Sequence, residues 1–587
     1  MASGIEGGAL AERRYEPPRA IPGLAYARRN AVTLLLAGAV LASGALLLGL
    51  GSRLSFFLDD WTFLVYRTGF DAEAILDPHN EHIAVGLVLV YKAILAGFGM
   101  DSTLPFRVVS TSVFLLSTVL LFLLVRRRVG EWPALLGATL VLFLGAAWED
   151  LLWPFQLGYF ASMAAGLGML LAFERGGRRG DLLACGLLIV SLLFSSVGLP
   201  FAVGAAVHLL QHPNRLRRAY VVAVPLGLFA LWYLGWGRGA ESSITAGNVA
   251  TAPLYLFDGI ASSVSSLLGL AAPRDESAIS PLYWGRPLLV LGLLGAAWRL
   301  RALEGVPRWL VVFAAITATF WLLAGASEKE GRPATASRYV YLGGIFVLLL
   351  AAELLRGWRP SRLAIVGLCA LTAFAVIANL SYLHGAYTSY KGTSDLERAG
   401  LGAVEIARDH VEFGFLLSED VVGTAYVSIE AGPYLDAVDR HGSAGYTPGE
   451  IAAAPDPVRA AADRVLAAAL ELPVREPAAE TRPAPATDSA SPPAPAPAPA
   501  PASCRRLESS RVSAAAVQLP IGGAMLRAPP RLLAEPGLRR FGAEPLPLRL
   551  EGSRDGVAAL RLPPDRADAP WVLELHGAGS VAVCALR

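Results

Sequence analysis

Long apolar runs separated by short polar segments occupy most of the chain up to about residue 380. A helix needs about 20 mostly apolar residues to cross a bilayer. The segments that approach this pattern are 31–50, 107–125, 133–148, 158–173, 182–196, 198–211, 219–236, 287–303, 309–325, 339–355 and 363–380. The stretch 182–211 is just long enough for two crossings, with a turn at Gly198. The pattern therefore predicts an all-α polytopic membrane protein with about eleven transmembrane helices.

Arginines cluster before the first predicted helix and then after every second one. The clusters are Arg28–Arg29, Arg126–Arg128, Arg175–Arg179, Arg215–Arg218, Arg299–Arg308 and Arg356–Arg362. Loops on the cytoplasmic side carry an excess of Lys and Arg. Eleven crossings place all of these clusters on one side, which we take to be the cytoplasm. The N-terminal tail 1–30 is then cytoplasmic and the C-terminus is extracytoplasmic.

Residues 83–99 are the exception among the apolar segments. They carry Lys92 in mid-run and follow Glu81 and His82. A crossing here would move Arg126–Arg128 and the later clusters to the opposite side. We therefore expect an amphipathic helix that lies in the membrane interface. The outer face then consists of 51–106, 149–157, 237–286, 326–338 and everything after about 381.

The part after residue 380 differs in composition from the membrane domain. Residues 381–480 are predicted to form an extracytoplasmic mixed region with short helices, and 481–503 an extended Ala/Pro linker. Residues 504–587 alternate apolar and polar positions, which predicts a small β module. Cys504 and Cys584 bracket this module, and a disulfide between them suits an extracytoplasmic location.

Composition supports a membrane protein and excludes one class of partner. The 587 residues are 54% hydrophobic and 17% charged, whereas soluble chains carry roughly 25% charged residues. The formal net charge is +2 with no basic patch outside short loops, which argues against nucleic acid. The Ala, Arg and Pro usage indicates a GC-rich bacterial genome, and hence the cytoplasmic membrane of a bacterium.

The outer loop after the first predicted helix contains the first candidate chemistry. Asp59 and Asp60 lie close to the bilayer surface among large aromatic side chains. A carboxylate there can act as a general base or help to hold a divalent cation. Alternatively, the pair simply begins an interfacial helix. Further on, His79, Glu81 and His82 are candidate substrate or metal ligands, or else a solvated loop.

Two later outer loops add further candidates. Glu149 and Asp150 pair two acids with tryptophans, although aromatic belts are common at interfaces. Gln156 ends the same loop. Arg338 and Tyr339 stand where an outer loop enters a helix, and a guanidinium there can bind a phosphate at headgroup depth. An arginine that snorkels to the interface is the alternative.

These features together resemble the GT-C superfamily of membrane glycosyltransferases, which includes protein O-mannosyltransferases, aminoarabinose lipid A transferases and actinobacterial arabinofuranosyltransferases. The resemblance covers roughly residues 30–380. Its motifs, in order, are Asp59–Asp60, Asp77-Pro78-His79-Asn80-Glu81-His82 before the interfacial helix, Leu104–Ser110 with Arg107, Glu149–Asp150, and Ser337-Arg338-Tyr339. Many members have His-Pro-Pro where this chain has His-Asn-Glu-His.

The resemblance implies transfer of a sugar from a polyprenyl-phosphate donor to a glycan, lipid or protein acceptor on the outer face. Asp59 or Asp60 is then the base that deprotonates the acceptor hydroxyl. Glu149 and Asp150 position the acceptor or a cation, which makes all four acids possible ligands of a divalent cation. Arg338 binds the donor phosphate and Tyr339 packs at the lipid chain. The remaining predicted substrate-binding residues are His79, Glu81, His82, Arg107 and Gln156.

The main alternative is a polytopic transporter or lipid flippase. Transporters usually carry ionisable groups within their helices near the midplane, whereas the predicted spans here are nearly free of them. A non-catalytic envelope-assembly protein, in which the β module binds glycan, is the other alternative.

Overall fold

A computed structural model describes residues 30–271, 280–302, 305–329, 331–424, 427–475, 495–498, 503–510, 514–551 and 555–586. The predicted cytoplasmic tail before Asn30 and most of the predicted linker, 481–494 and 499–502, lie outside these residues.

The main helices follow the predicted apolar segments closely. They are α1 (Ala31–Gly51), α2 (Val85–Phe98), α3 (Leu104–Val129), α4 (Glu131–Leu142), α5 (Trp148–Leu152), α6 (Leu157–Arg175), α7 (Gly177–Phe194), α8 (Gly198–Leu210), α9 (Tyr220–Gly235), α10 (Ala246–Leu267), α11 (Pro281–Arg301), α12 (Arg308–Ala326), α13 (Ser337–Leu354), α14 (Arg362–Ile406), α15 (Ala431–His441), α16 (Pro448–Ala453) and α17 (Asp456–Ala469). The predicted span 133–148 is broken after Leu142, and the chain resumes as α5.

Seven helical segments among the described residues are long and apolar enough to cross a membrane: α1, α3, α4 with α5, α6, α12, α13 and α14. Three further apolar helices, α2, α8 and α9, are shorter. The chain is therefore a multi-pass membrane protein, while the number of eleven crossings stays a prediction.

The arginine-rich ends of several helices meet at one end of the bundle. Arg128, near the end of α3, donates hydrogen bonds to Glu174 of α6 at 2.8 Å and to Glu353 of α13 at 2.6 Å. Arg299, near the end of α11, donates to the carbonyl of Leu354 at 3.3 Å. These four helix ends lie together, as the predicted common side requires.

The segment 237–286, predicted as an outer loop, contains the 22-residue helix α10. Near its start, the Asn248 amide donates to the carbonyl of Glu328, just after α12, at 2.8 Å. Near its end, the carbonyl of Ser266 accepts from Asn379, whose own oxygen accepts from the backbone N–H of Ala146. Both ends of α10 thus contact the bundle end opposite the Arg128 cluster. Because α10 begins and ends on the same side, it does not change the side from which the later helices start.

Helix α14 is longer than predicted. It runs for 45 residues to Ile406, although the last span was expected to end at 380 and a mixed region of short helices to follow. No proline interrupts 381–406, and glycine weakens a helix by only about 1 kcal/mol. The extension beyond the bundle packs against α17 and carries the C-terminal part.

The C-terminal residues form a sandwich of two antiparallel four-stranded sheets, with strand orders β3-β10-β5-β8 and β4-β9-β6-β7. The strands are β3 (Cys504–Ser509), β4 (Ala515–Gln518), β5 (Gly522–Arg527), β6 (Gly537–Arg539), β7 (Leu546–Pro547), β8 (Val557–Leu562), β9 (Val572–Leu575) and β10 (Gly579–Ala585); a separate two-stranded sheet pairs β1 (Leu416–Leu417) with β2 (Ile429–Glu430). A disulfide joins Cys504 to Cys584. Ala496 of the Ala/Pro segment bridges to Val517 at the edge of the second sheet.

A buried carboxylate attaches the sandwich to the helical region. Asp463 of α17 is 1% exposed and accepts hydrogen bonds from the backbone N–H groups of Arg540, Phe541 and Gly542 at 2.8–3.1 Å. Arg540 in turn pairs with Asp565. The sandwich is therefore attached to α17, which packs against the extension of α14.

Replacing Asp463 by Ala is expected to destabilise this contact by about 3 kcal/mol, because buried backbone donors lose their acceptor. Limited proteolysis of the purified chain should then release the segment 504–587 faster, with a lower melting temperature. Asp568, which is exposed, provides the matched control as Asp568→Ala. Equal protease sensitivity of the two variants would contradict this role of Asp463.

Candidate active site

A strained turn follows α1 and presents Asp59. Leu58 has φ 41° and ψ −106°, a conformation that costs a non-glycine residue roughly 1–3 kcal/mol. The carbonyl of Phe57 accepts from the backbone N–H of Asp60 at 2.9 Å, and the N–H of Phe57 donates to Asp60 Oδ2 at 2.9 Å. Asp60 thus closes the turn from both sides. Asp59 also opens a short helical turn, as the helix-start interpretation of the acidic pair expects.

The extension of α14 holds this loop in place. The backbone N–H of Ser55 donates to Ser394 Oγ at 3.0 Å. The indole N–H of Trp61 donates to Glu397 Oε1 at 2.6 Å, and both side chains are buried. The loop that carries the acidic pair is therefore fixed against a helix more than 300 residues later in the chain.

Asp60 is a buried structural acid. It is 0% exposed, and the Tyr91 hydroxyl donates to its Oδ1 at 2.5 Å. Burial raises the pKa of Asp60 to about 7, against the opposing effects of the hydrogen bonds from Tyr91 and Phe57 and of the nearby Arg107. Both oxygens accept hydrogen bonds within the protein, so Asp60 shapes the turn.

The raised pKa of Asp60 predicts a pH-dependent stability. The folded chain binds this proton more tightly than the unfolded chain, so the contribution is full below about pH 4 and is lost as the pH rises through about 7. Each pKa unit corresponds to about 1.4 kcal/mol. We expect the melting temperature of the wild type to fall relative to that of Asp60→Asn as the pH rises over this range. Parallel melting curves would contradict the assignment.

Asp59 is the more accessible acid of the pair. Its side chain is 31% exposed, and its Oδ1 lies 3.0 Å from His79 Nε2. The ring of His79 packs against Phe63 and Phe155, with centroids 5.0 and 5.2 Å away. His79 is thus fixed by aromatic contacts, and it lies beside a carboxylate that remains open to a cavity.

We call the space beside Asp59 the Asp59 cavity. The residues that line it are Asp59, His79, Asn80, His82, Ile83, Ala84, Leu87, Trp153, Phe155, Gln156, Gly158, Tyr159, Phe194, Ser195, Arg332 and Arg338. Its volume of about 50 Å³ holds a few water molecules, so a larger ligand requires the walls to move. One carboxylate and two guanidinium groups therefore converge on one small space.

The two arginines of this cavity differ in their partners. Glu149 Oε2 accepts from the backbone N–H of Arg338 at 3.0 Å and from its Nε at 3.1 Å. Within the described part of the chain, Arg332 forms no ion pair. Burial and the nearby Arg332 lower the pKa of His82 to about 4, so His82 is neutral at neutral pH. The cavity is thus suited to an anion.

Asp150 lies beside this ion pair without lining the cavity. It is 1% exposed, and among the described residues neither of its carboxylate oxygens has a hydrogen-bond partner.

Three predicted substrate-binding residues lie elsewhere. Arg107 is buried and donates to Thr103 Oγ1 and to the carbonyls of Leu152 and Ser55, contacts that hold the loop. Glu81 accepts from the backbone N–H and the hydroxyl of Ser243. Tyr339 is buried against the rings of Phe320 and Trp321, each with a centroid 6.0 Å away. None of the three lines the Asp59 cavity.

The acids do not assemble into a metal-binding group. Across the described ranges, no group of three or more His, Cys, Asp or Glu side chains is placed to hold a metal ion. Asp59 faces His79, whereas Glu149 is engaged by Arg338. The four acids considered as cation ligands are thus divided between separate surroundings.

Sequence reasoning missed Arg332 and Tyr159, which also line the cavity. Arg332 lies in the same outer loop as Arg338, six residues earlier, and this shared loop was the available signal. Tyr159 follows the Glu149–Gln156 loop at the start of α6 and carries no such signal.

Comparison with known proteins gives little beyond this geometry. No family model matches the chain, and none of the curated proteins matches it. One solved structure that is similar is the crystal structure of ArnT from Cupriavidus metallidurans bound to undecaprenyl phosphate, with a TM-score of 0.39 and 12% sequence identity. The alignment covers 65% of this chain and 81% of that chain. A TM-score this low carries no argument about function, so the functional assignment rests on the site.

Proposed function

We propose that this chain is a membrane glycosyltransferase that moves a sugar from a polyprenyl-phosphate donor to an acceptor hydroxyl on the outer face of the cytoplasmic membrane. The observation that supports it is the joint presence of Asp59, Arg332 and Arg338 in one cavity. That cavity lies at the bundle end opposite the arginine clusters, which is the predicted outer face.

The proposed reaction is a displacement at the anomeric carbon. Asp59 accepts the proton of the acceptor hydroxyl, whose oxygen attacks the anomeric carbon of the donor sugar. The bond from this carbon to the phosphate oxygen breaks, and polyprenyl phosphate leaves with the electron pair. Arg332 and Arg338 stabilise the negative charge that develops on the phosphate. His79 lies 3.0 Å from the Asp59 carboxylate, on the side of the cavity wall.

The acidic pair is thereby divided between two roles. Asp59 is the proposed base because it is partly exposed and faces the cavity, whereas Asp60 holds the turn through Phe57 and Tyr91. Glu149 sets the position of Arg338 through two hydrogen bonds. Arg107 holds the loop through its hydrogen bonds to the carbonyls of Ser55 and Leu152, and it contacts no ligand in this proposal.

A direct assay tests the proposal. The purified chain is reconstituted in vesicles with a polyprenyl-phosphate hexose or pentose, and released polyprenyl phosphate and transferred sugar are followed by mass spectrometry. Turnover supports an enzyme. Movement of the intact lipid between leaflets without turnover would instead favour the flippase alternative and overturn the proposal. Mass spectrometry of envelope glycans from cells that lack the gene identifies the donor and the acceptor together.

A further inference from the structure

A second, larger cavity lies on the other side of the Glu149–Arg338 ion pair. Its volume is about 650 Å³, within the usual range of roughly 300–1,000 Å³ for ligand pockets. Glu149 lines this cavity and Arg338 lines the Asp59 cavity, so the ion pair forms part of the wall between the two. We call the larger space the α14 cavity, because α14 supplies one of its walls.

Hydroxyl groups and aromatic rings dominate the chemistry of the α14 cavity. The hydroxyl-bearing residues that line it are Ser266, Ser280, Thr335, Ser337, Ser381, Tyr382, Ser389 and Tyr390. Trp148 also lines it and packs edge-on against Tyr390, with ring centroids 5.1 Å apart. Ser266 is 1% exposed, and its hydroxyl has no hydrogen-bond partner among the described residues. Ser381 and Ser389, by contrast, are exposed residues of α14 that line the cavity, so their hydroxyls are accessible to a ligand with polar groups.

The lining also excludes other ligand classes. Among the described residues of this wall, none is Leu, Ile, Met or Phe, whereas a site for a polyprenyl chain is expected to be lined by large apolar side chains. Glu149 is the only charged residue in the described lining. An anionic headgroup or an acidic peptide would meet a carboxylate there without a facing cation.

We propose, on the basis of the proposed function, that the α14 cavity binds the acceptor and that this acceptor is an uncharged, hydroxyl-rich glycan. The hydroxyls of Thr335, Ser381 and Ser389 exchange hydrogen bonds with its hydroxyl groups, and Glu149 accepts from one of them. The half-buried ring of Trp148 packs against the C–H face of one of its sugar rings. The acceptor then approaches Asp59 from the side of the ion pair.

Helix α14 offers a matched pair of variants for the test. Gly385 lines the cavity, and a Cβ added there meets no atom within 4 Å. Gly392 lies two turns further along the same helix with equally open surroundings and does not line the cavity. Gly385→Leu therefore fills the cavity without a backbone clash, and Gly392→Leu makes the same change outside it. Ser389→Ala removes one exposed hydroxyl of the lining alone.

The experiment measures equilibrium binding of labelled oligosaccharides to the purified full chain. Short neutral oligosaccharides of hexoses and pentoses are compared with an acidic uronic-acid oligosaccharide and a Ser/Thr-rich peptide. We expect a neutral oligosaccharide to bind the wild type and Gly392→Leu equally, and to bind Gly385→Leu roughly tenfold or more weakly, as for an extra aliphatic group in a pocket. Ser389→Ala should weaken binding several-fold.

Two results would overturn this inference: tighter binding of the peptide or the acidic oligosaccharide than of every neutral one, or equal binding to both leucine variants at matched melting temperatures. Release of polyprenyl phosphate by the wild type is measured separately. Its absence would count against the proposed function, whereas the oligosaccharide measurement reports on the cavity in either case.

Discussion

Replacing Asp59 by Asn is expected to reduce sugar transfer by roughly 10²- to 10⁴-fold, the contribution of a positioned general base. Asn keeps the shape of the side chain and its contact with His79, but its amide does not accept the proton of the acceptor hydroxyl. The wild type and the variant are each expressed in cells that lack the gene. The measurement follows the transfer of labelled sugar from a polyprenyl-phosphate donor into the envelope material of these cells.

Two further variants separate the base from its surroundings. Glu73→Gln removes an exposed acid of the same outer loop and should retain the wild-type rate. Asp60→Asn keeps the shape of the side chain and one of its two acceptor oxygens at the turn, so its loss of rate should be much smaller than that of Asp59→Asn. A wild-type rate for Asp59→Asn, with the melting temperature unchanged, would remove Asp59 from the mechanism.

The sequence was most informative where a single physical rule decides the outcome. Bilayer thickness sets the length of apolar helices, and the observed helices follow the predicted spans closely. The bias of arginines indicated that Arg128 and Arg299 lie at the same end of the bundle, and their hydrogen bonds to the neighbouring helices agree with this. The segment 83–99 likewise forms a helix, Val85–Phe98.

The sequence failed where the outcome depends on tertiary packing. Helix α10 contains four serines and two glycines. These residue types are common in loops, but here they form a helix that packs against the bundle. The choice between Asp59 and Asp60 depends on Tyr91 and on a backbone turn at Leu58, neither of which has a local signal. Arg332 was missed because its role depends on an approach to Asp59 across more than 270 residues of chain.

Removal of the guanidinium groups is expected to produce the second large effect. Hydrogen bonds to charged groups contribute about 1.5–3 kcal/mol each, and each 1.4 kcal/mol is about tenfold. Arg332→Ala should therefore lower kcat/KM for the polyprenyl-phosphate donor by roughly 10- to 100-fold. Part of this loss should appear as a higher KM. Since Arg332 forms no ion pair within the described ranges, its removal leaves no protein carboxylate unpaired.

Arg338→Ala should show a similar loss of kcat/KM together with a lower melting temperature, because Glu149 loses the hydrogen bond from the Arg338 Nε and keeps only that from the backbone N–H. Arg338→Lys restores the charge without the forked geometry and should recover part of the rate. Arg286→Ala is the matched control: it breaks an exposed ion pair with Asp258, a type of contact that contributes little, and it lines neither cavity. If Arg332→Ala and Arg286→Ala showed the same kinetics, the donor phosphate would have to bind elsewhere. The presence of Asp59, Arg332 and Arg338 in one cavity would then no longer support sugar transfer at this site.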